Sequence, residues 1–154
     1  MDGNKIFHVL ERNLKQYDEI ELILLKGHLI IEQLLNESLS IHFKGEKDLD
    51  RLNLMFAKKL DLLISLEGPE PFGGLVGVKN LKELNRIRNK LAHNLEFKGY
   101  HSDLKKWACT VVGYTPKTIN RHNTYRNMLL KAFYFTCGYM TGINIERIRL
   151  QKKI

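Results

Sequence analysis

Residues 17–43, YDEIELILLKGHLIIEQLLNESLSIHF, decide the fold class. Large aliphatic side chains recur here at helical spacing, namely at Ile20, Ile23, Leu24, Ile31, Leu34 and Leu35. Leu22, Leu25 and Leu29 widen this apolar stripe beyond what one buried helix face needs. We therefore predict a long helix over about 17–43 that has neighbours on more than one side.

The rest of the chain divides into further helices. Periodic apolar positions and turn residues place them at about 3–15, 49–66, 80–96, 102–113 and 123–150. Asp48 or Asp50 is positioned to cap the helix over 49–66. Asn80 and Glu83 have the spacing of a capping box at the start of the next one. No alternation typical of strands persists, so the sequence predicts an all-α bundle of four to six helices.

Length and composition predict one domain. The 154 residues suffice for a single core, and the two cysteines, Cys109 and Cys137, lie in apolar segments as reduced thiols do. The N-terminus lacks a charged-then-apolar signal pattern, and no apolar run is long enough for a membrane span. We therefore predict a single cytoplasmic domain over residues 1–154 that does not enter a membrane.

Charge is unevenly distributed along the chain. Residues 1–78 hold 9 Lys and Arg against 13 Asp and Glu, whereas residues 79–154 hold 16 against 4. The first half is thus −4 and the second +12, and the excess continues into the basic C-terminal helix. Such asymmetry favours a surface that faces a polyanion, of which nucleic acid is the commonest in the cytosol. A solvated basic face, or docking on an acidic chain, is the alternative.

The stretch 84-LNRIRNKLAHNL-95 breaks its own helical pattern. At about 100° per residue, Arg88 falls inside the apolar arc, between Leu95 and Leu81. A separate polar ridge is formed by Asn85, Asn89 and His93. Arginine keeps its charge when buried, so Arg88 needs an anionic partner.

Two kinds of partner are open for Arg88. In a structural explanation it pairs with Glu32, which lies with His28 among the leucines of the first long helix. In a functional explanation it lines a groove or a subunit interface and binds phosphate through its two-pronged guanidinium. His28 and Glu32 also have the spacing of a metal pair, but no third ligand follows at a recognisable spacing. We expect a core hydrogen bond there and no metal.

The run RNKLAH at 88–93 resembles the signature of the HEPN superfamily: arginine, four to six residues, then histidine, with Asn or Asp often after the arginine. The upstream segments LLKGHLIIEQLLNESL and FAKKLDLLISLEG resemble the two helices that precede this signature. The resemblance covers about residues 17–97, and the mannitol operon repressor group is the nearest variant. It implies an HEPN-like bundle.

The resemblance also implies functions. Many HEPN proteins are dimeric, metal-independent ribonucleases that act as toxins or antiphage effectors, and others are non-catalytic regulators, such as the mannitol operon repressor group. We accordingly expect an endoribonuclease that dimerises through the motif helix, binds RNA, needs no cofactor, and has an antitoxin or regulatory protein as a possible partner. The alternatives are a non-catalytic regulator and a purely structural interaction module.

The motif residues suit RNA cleavage. Histidine exchanges protons near neutral pH, so His93 could serve the ribose 2′-OH or the leaving oxygen. Arg88 could stabilise the charge on the phosphorane, while Asn89 orients the imidazole or donates to phosphate. On an ideal helix Arg88 and His93 point about 140° apart, so one helix alone would struggle to aim both at one phosphate. Two copies of the motif that share a cleft would not have this difficulty.

Two features leave the assignment open. The toxins that are paired with a nucleotidyltransferase antitoxin have tyrosine where this chain has Leu95. Arg86 also fits the spacing to His93, although Arg88 is preferred because asparagine follows it. The basic residues predicted to contact RNA are Arg86, Lys90, Lys105, Lys106 and Arg121.

Overall fold

The structure, a computed structural model, describes residues 1–43, 46–94, 96 and 99–154. Its helices are α1 (Gly3–Leu10), α2 (Ile20–Ser40), α3 (Glu46–Arg51), α4 (Phe56–Glu67), α5 (Val78–His93), α6 (Tyr100–Val112) and α7 (His122–Gln151). A π-helical turn over Glu11–Lys15 continues α1. The described residues contain no strand, which confirms the predicted all-α bundle. None of these helices is long and apolar enough to cross a bilayer.

Helix α2 lies at the centre of the bundle, as its wide apolar stripe predicts. It contacts α3, α4, α5, α7 and the π-helical turn. Its buried leucines and isoleucines join one hydrophobic cluster with side chains from every other helix. Two of its leucines remain outside this core: Leu22 is 37% and Leu29 56% exposed. One flank of α2 is therefore apolar and uncovered.

The ring of Phe133 on α7 packs directly against Gly27 of α2, and this contact yields a prediction. A Cβ atom on Gly27 would overlap the ring of Phe133, which is fully buried. We expect Gly27→Ala to lower the free energy of unfolding by about 2 kcal/mol, because overpacking outweighs the better helix propensity of alanine. Urea-induced unfolding measures this change.

Gly138 on α7 is the matched control. It is exposed, and a Cβ atom there would meet no atom within 4 Å. Gly138→Ala should raise the free energy of unfolding by about 0.5–1 kcal/mol through propensity alone. If both substitutions stabilise the protein, the close approach of α2 to Phe133 is wrong.

The helix predicted over 49–66 is two helices, so the described residues form seven α-helices rather than the predicted four to six. Residues 52–55 separate α3 from α4, and Asn53 lies in the left-handed region with φ 46°. Asparagine tolerates this conformation better than most residues, so the chain can turn there. The predicted caps are wrong because Asp48 and Asp50 lie within α3. The side chain of Asp48 is outside the described residues.

The start of α5 also differs from the prediction. The helix begins at Val78 rather than after Asn80, and the Val78 N–H donates to the Glu70 carboxylate at 3.0 Å. Glu83, predicted to complete a capping box, instead accepts hydrogen bonds from Arg86. A tertiary cap from the preceding loop has replaced the local one, since any carboxylate that reaches the first turn satisfies its free N–H groups.

Candidate functional site

The polar ridge predicted on α5 lines one groove. This α4–α5 groove has a volume of about 600 Å³. Its walls are Phe56, Ala57, Leu60 and Asp61 from α4, and Lys82, Asn85, Arg86, Asn89, Lys90 and His93 from α5. The structure thus brings the ridge residues Asn85, Asn89 and His93 together, with cationic side chains beside them.

Arg88 lies next to this groove but is not among its lining residues. Its side chain is half-buried, and its Nη1 donates to Asn89 Oδ1 at 3.2 Å. No carboxylate among the side chains that the structure describes lies within ion-pair distance of it. Glu32, the predicted structural partner, pairs instead with Lys59 at 2.8 Å.

The predicted Arg88–Glu32 ion pair is therefore wrong. The reason is the position of α4: it packs on α2 and presents Lys59, which a single-helix pattern could not anticipate. A lysine can reach a carboxylate at the edge of a helix contact while its stem stays packed. Arg88 is left as a half-buried cation with a neutral partner.

His28 supports the motif helix from α2. It is 2% exposed, its ring lies 4.6 Å from that of Phe56, and its Nε2 lies 3.0 Å from Asn85 Oδ1. Since that oxygen is an acceptor, Nε2 carries the proton. Burial lowers the pKa of His28, and the charge of Arg88 lowers it further. The core hydrogen bond expected of His28 exists, but it goes to α5 rather than to Glu32.

His28 and Glu32 had also been weighed as a metal pair. Within the described part of the chain, no three His, Cys, Asp or Glu side chains are grouped so that they could hold a metal ion.

Arg86, the second candidate for the active arginine, is bound to acidic neighbours. It donates to Glu83 at 2.8 and 2.5 Å and to Asp103 of α6 at 2.9 Å. These hydrogen bonds raise the pKa of Arg86. The hydrogen bond from Arg86 in turn lowers the pKa of Glu83. The charge of Arg86 is thus balanced by Glu83 and Asp103, whereas Arg88 meets no carboxylate among the described side chains.

His93 is the last residue of α5, and its side chain is exposed at the end of the groove. Asn89 lies between it and Arg88, bonded to Arg88 and lining the groove beside His93. One copy of the chain therefore does not direct both motif residues into the same groove, in line with their separation on an ideal helix. Leu95, the position of the toxin tyrosine, lies outside the described residues.

The residues predicted to contact RNA do not form one patch. Arg86 and Lys90 line the α4–α5 groove. Lys105 and Lys106 lie on α6 and line a separate pocket. Arg121 is exposed immediately before α7.

Comparison with known proteins adds no relative. No protein-family model, no curated protein and no solved structure matches the chain. Its membership of the HEPN superfamily therefore stays a prediction from residues 17–97.

Proposed function

We propose that the protein is an endoribonuclease that cleaves RNA without a metal ion and acts as a homodimer. The observation that carries the proposal is Arg88: a half-buried guanidinium, bonded to Asn89, with no carboxylate partner among the described side chains. Because arginine stays charged, the site is incomplete without an anion. A phosphate of the RNA backbone supplies that anion and matches the two-pronged guanidinium.

The reaction uses the nucleophile that RNA already contains. His93 removes the proton from a ribose 2′-OH, and the oxygen attacks the adjacent phosphorus. The bond to the 5′ oxygen breaks, and the protonated His93 of a second copy donates a proton to that oxygen. The products are a 2′,3′-cyclic phosphate and a 5′-hydroxyl. Arg88 stabilises the charge that builds on the phosphorane. No metal-bound hydroxide is required because the attacking oxygen belongs to the substrate.

Asn89 has a positioning role in this scheme. Its Oδ1 accepts the hydrogen bond from Arg88 and so fixes the guanidinium at the edge of the groove. An amide whose oxygen is engaged in this way still has two N–H donors, which can bind a phosphate oxygen. Arg86 has no such role, since Glu83 and Asp103 already occupy it.

The homodimer supplies the geometry that one copy lacks. Pairing α5 about a two-fold axis would place Arg88 of one copy beside His93 of the other. Support comes from α2, where Leu22 and Leu29 are exposed seven residues apart on one face. The exposed Leu29 directly follows His28, whose ring bonds Asn85 of the motif helix at 3.0 Å, so this apolar face begins one residue from that contact. A second copy would cover it.

Cleavage of an RNA pool in excess EDTA tests the proposal. We expect cleavage fragments that carry 5′-hydroxyl and cyclic phosphate ends, and no cleavage of an oligonucleotide whose riboses are 2′-deoxy. The His93→Ala protein, purified identically, controls for a contaminating nuclease. Sedimentation at the assay concentration should give a dimer. Cleavage of the deoxy substrate, or fragments with 5′-phosphate ends, would contradict the mechanism.

The physiological part of the proposal is a toxin or antiphage effector, with an antitoxin or regulator as its partner. Expression of the wild-type chain should then slow growth of the host, while expression of His93→Ala should not. A protein that binds RNA or a protein partner but never cleaves RNA would instead be a non-catalytic regulator, resembling the mannitol operon repressor group.

A further inference from the structure

A second cavity lies away from the motif, between α6 and the loop over 113–120. This α6 pocket has a volume of about 640 Å³, within the range of sites that hold small ligands. Its lining residues are Ser102, Lys105, Lys106, Cys109, Thr110, Gly113, Tyr114, Thr115, Ile119 and Asn120. No carboxylate belongs to this lining, although the pocket contains two lysines.

The α6 pocket is held in shape by the residues around it. Gly113 adopts a left-handed conformation with φ 98°, which ends α6 and turns the chain back over the helix. Lys105 Nζ donates to Asn120 Oδ1 at 3.3 Å, which ties α6 to the far end of the loop. Lys131 of α7 donates to the Tyr114 hydroxyl at 3.1 Å. A ligand would enter a cavity that is already formed.

The chemistry of the α6 pocket fits a nucleoside phosphate. No carboxylate among the described side chains lies within ion-pair distance of Lys105 or Lys106, so a phosphate entering the pocket would meet no competing anion among them. Tyr114 is 51% exposed and offers a ring face for a base, and Ile119 adds an apolar wall. Hydroxyls from the same lining can bind ribose and phosphate oxygens.

The α6 pocket adjoins a third cavity, which in turn adjoins the candidate active site. A groove of about 880 Å³ runs between α5 and α6. It shares Lys106 and Thr110 with the α6 pocket, and Lys82 and Arg86 with the α4–α5 groove. The three cavities therefore adjoin, and His93 lies at the far end from Tyr114.

The groove between α5 and α6, called the α5–α6 groove below, holds acidic side chains as well. Glu83 and Asp103 are bonded to Arg86, and Glu70 binds the Val78 N–H. These carboxylates are thus engaged within the chain. The net attraction for phosphate comes from the two ends.

We propose that the α6 pocket binds one phosphorylated nucleotide of a single-stranded RNA whose backbone follows the α5–α6 groove to His93. A single strand is required because only an unpaired nucleotide can turn its base into a pocket. The identification of the strand as the cleaved RNA rests on the proposed function. Binding of the nucleotide itself does not depend on cleavage.

Fluorescence anisotropy with a short labelled single-stranded RNA tests this inference, using the His93→Ala chain so that the probe stays intact. Lys105→Gln/Lys106→Gln should weaken binding by at least about tenfold, and the slope of log Kd against log salt concentration should fall by about one for each lysine lost. Tyr114→Ala should weaken binding by about tenfold through lost stacking. The control Lys152→Gln/Lys153→Gln removes two adjacent exposed lysines that line none of the three cavities and should change Kd by less than about twofold.

Equal weakening by both double variants would overturn the pocket, as would equally tight binding of the same sequence in a duplex. Displacement of the RNA by a free mononucleotide at a matching concentration would show that the pocket binds nucleotides rather than a strand. That result would contradict the proposal that the ligand is a single-stranded RNA.

The two proposals can fail independently of each other. If RNA binding depends on the pocket but the wild-type chain does not cleave RNA, the proposed nuclease activity is wrong and the proposed binding site stands. If Lys105→Gln/Lys106→Gln cleaves RNA with unchanged kcat/KM, the proposed binding site is wrong and the proposed nuclease activity stands.

Discussion

Replacing Arg88 with alanine should lower the rate of RNA cleavage by about 10²- to 10³-fold, the usual effect of removing a group that stabilises transition-state charge. The same substitution should change the free energy of unfolding by less than about 1 kcal/mol, since it removes one hydrogen bond, to Asn89. Single-turnover cleavage rates and urea-induced unfolding measure the two quantities. Arg88→Lys should restore little activity because lysine cannot bind phosphate through two parallel N–H groups.

Arg86→Ala is the matched control, two residues away on the same helix. Its ion pairs with Glu83 and Asp103 join side chains that are each 39% exposed. The substitution should therefore lower the free energy of unfolding by about 1 kcal/mol at most, and change the cleavage rate by less than about tenfold. If Arg86→Ala abolishes cleavage while Arg88→Ala does not, the active arginine has been assigned to the wrong residue.

Arg147→Ala should lower the free energy of unfolding by about 3 kcal/mol, the largest effect on stability that we expect from a single polar side chain. The Arg147 side chain is 11% exposed. It donates to Glu67 Oε1 at 2.5 Å, to the buried Asn144 at 2.8 Å and to the carbonyl oxygen of Pro71. It also lies 4.8 Å from the ring centre of Phe72. Its loss removes a contact from each of these four groups, although Asn144 Oδ1 keeps the hydrogen bond from Ser38.

The main cost falls on Glu67. Its side chain is 18% exposed, and its Oε2 is buried without a hydrogen-bond partner among the described residues. After Arg147 is removed, the nearest cationic group is His42, at 3.5 Å, which carries charge only when protonated. A mostly buried carboxylate that loses its cation is strongly destabilising.

Arg149→Ala serves as the control for this prediction. Arg149 is 65% exposed and pairs with Glu146 at 3.5 Å, one turn away on the same helix. The expected change in the free energy of unfolding is below about 0.5 kcal/mol. Similar values for the two arginines in urea-induced unfolding would show that the polar cluster around Glu67 contributes little.

The helices could be predicted because their signal is local. The stripe of α2 and the end of α6 near residue 113 depend on residues close in sequence, and both agree with the prediction. The break at Asn53 was missed because a single asparagine in a periodic apolar segment does not reveal that it will adopt positive φ. The predicted cap at Asn80 failed because Glu70, ten positions earlier in the chain, binds the Val78 N–H instead. A partner that distant cannot be recognised from local spacing alone.

The candidate site was predictable to the extent that it lies on one helix. Spacing along α5 placed Asn85, Asn89 and His93 together, and the structure gathers them in one groove. The partner of Glu32 was mispredicted because it depends on how α4 packs against α2. The α6 pocket was missed as a cavity, although the adjacent Lys105 and Lys106 had been singled out. Its walls come from a helix and a loop that meet only in the folded chain.

The loop between α4 and α5 connects the motif helix to α7 through two consecutive residues. Glu70 accepts a hydrogen bond from the Val78 N–H in the first turn of α5, and the carbonyl oxygen of Pro71 accepts one from Arg147 of α7. The position of α5 is therefore set in part by the far end of α7. A sequence change in the last turns of α7 reaches the motif helix through these two neighbouring residues, without passing through the core.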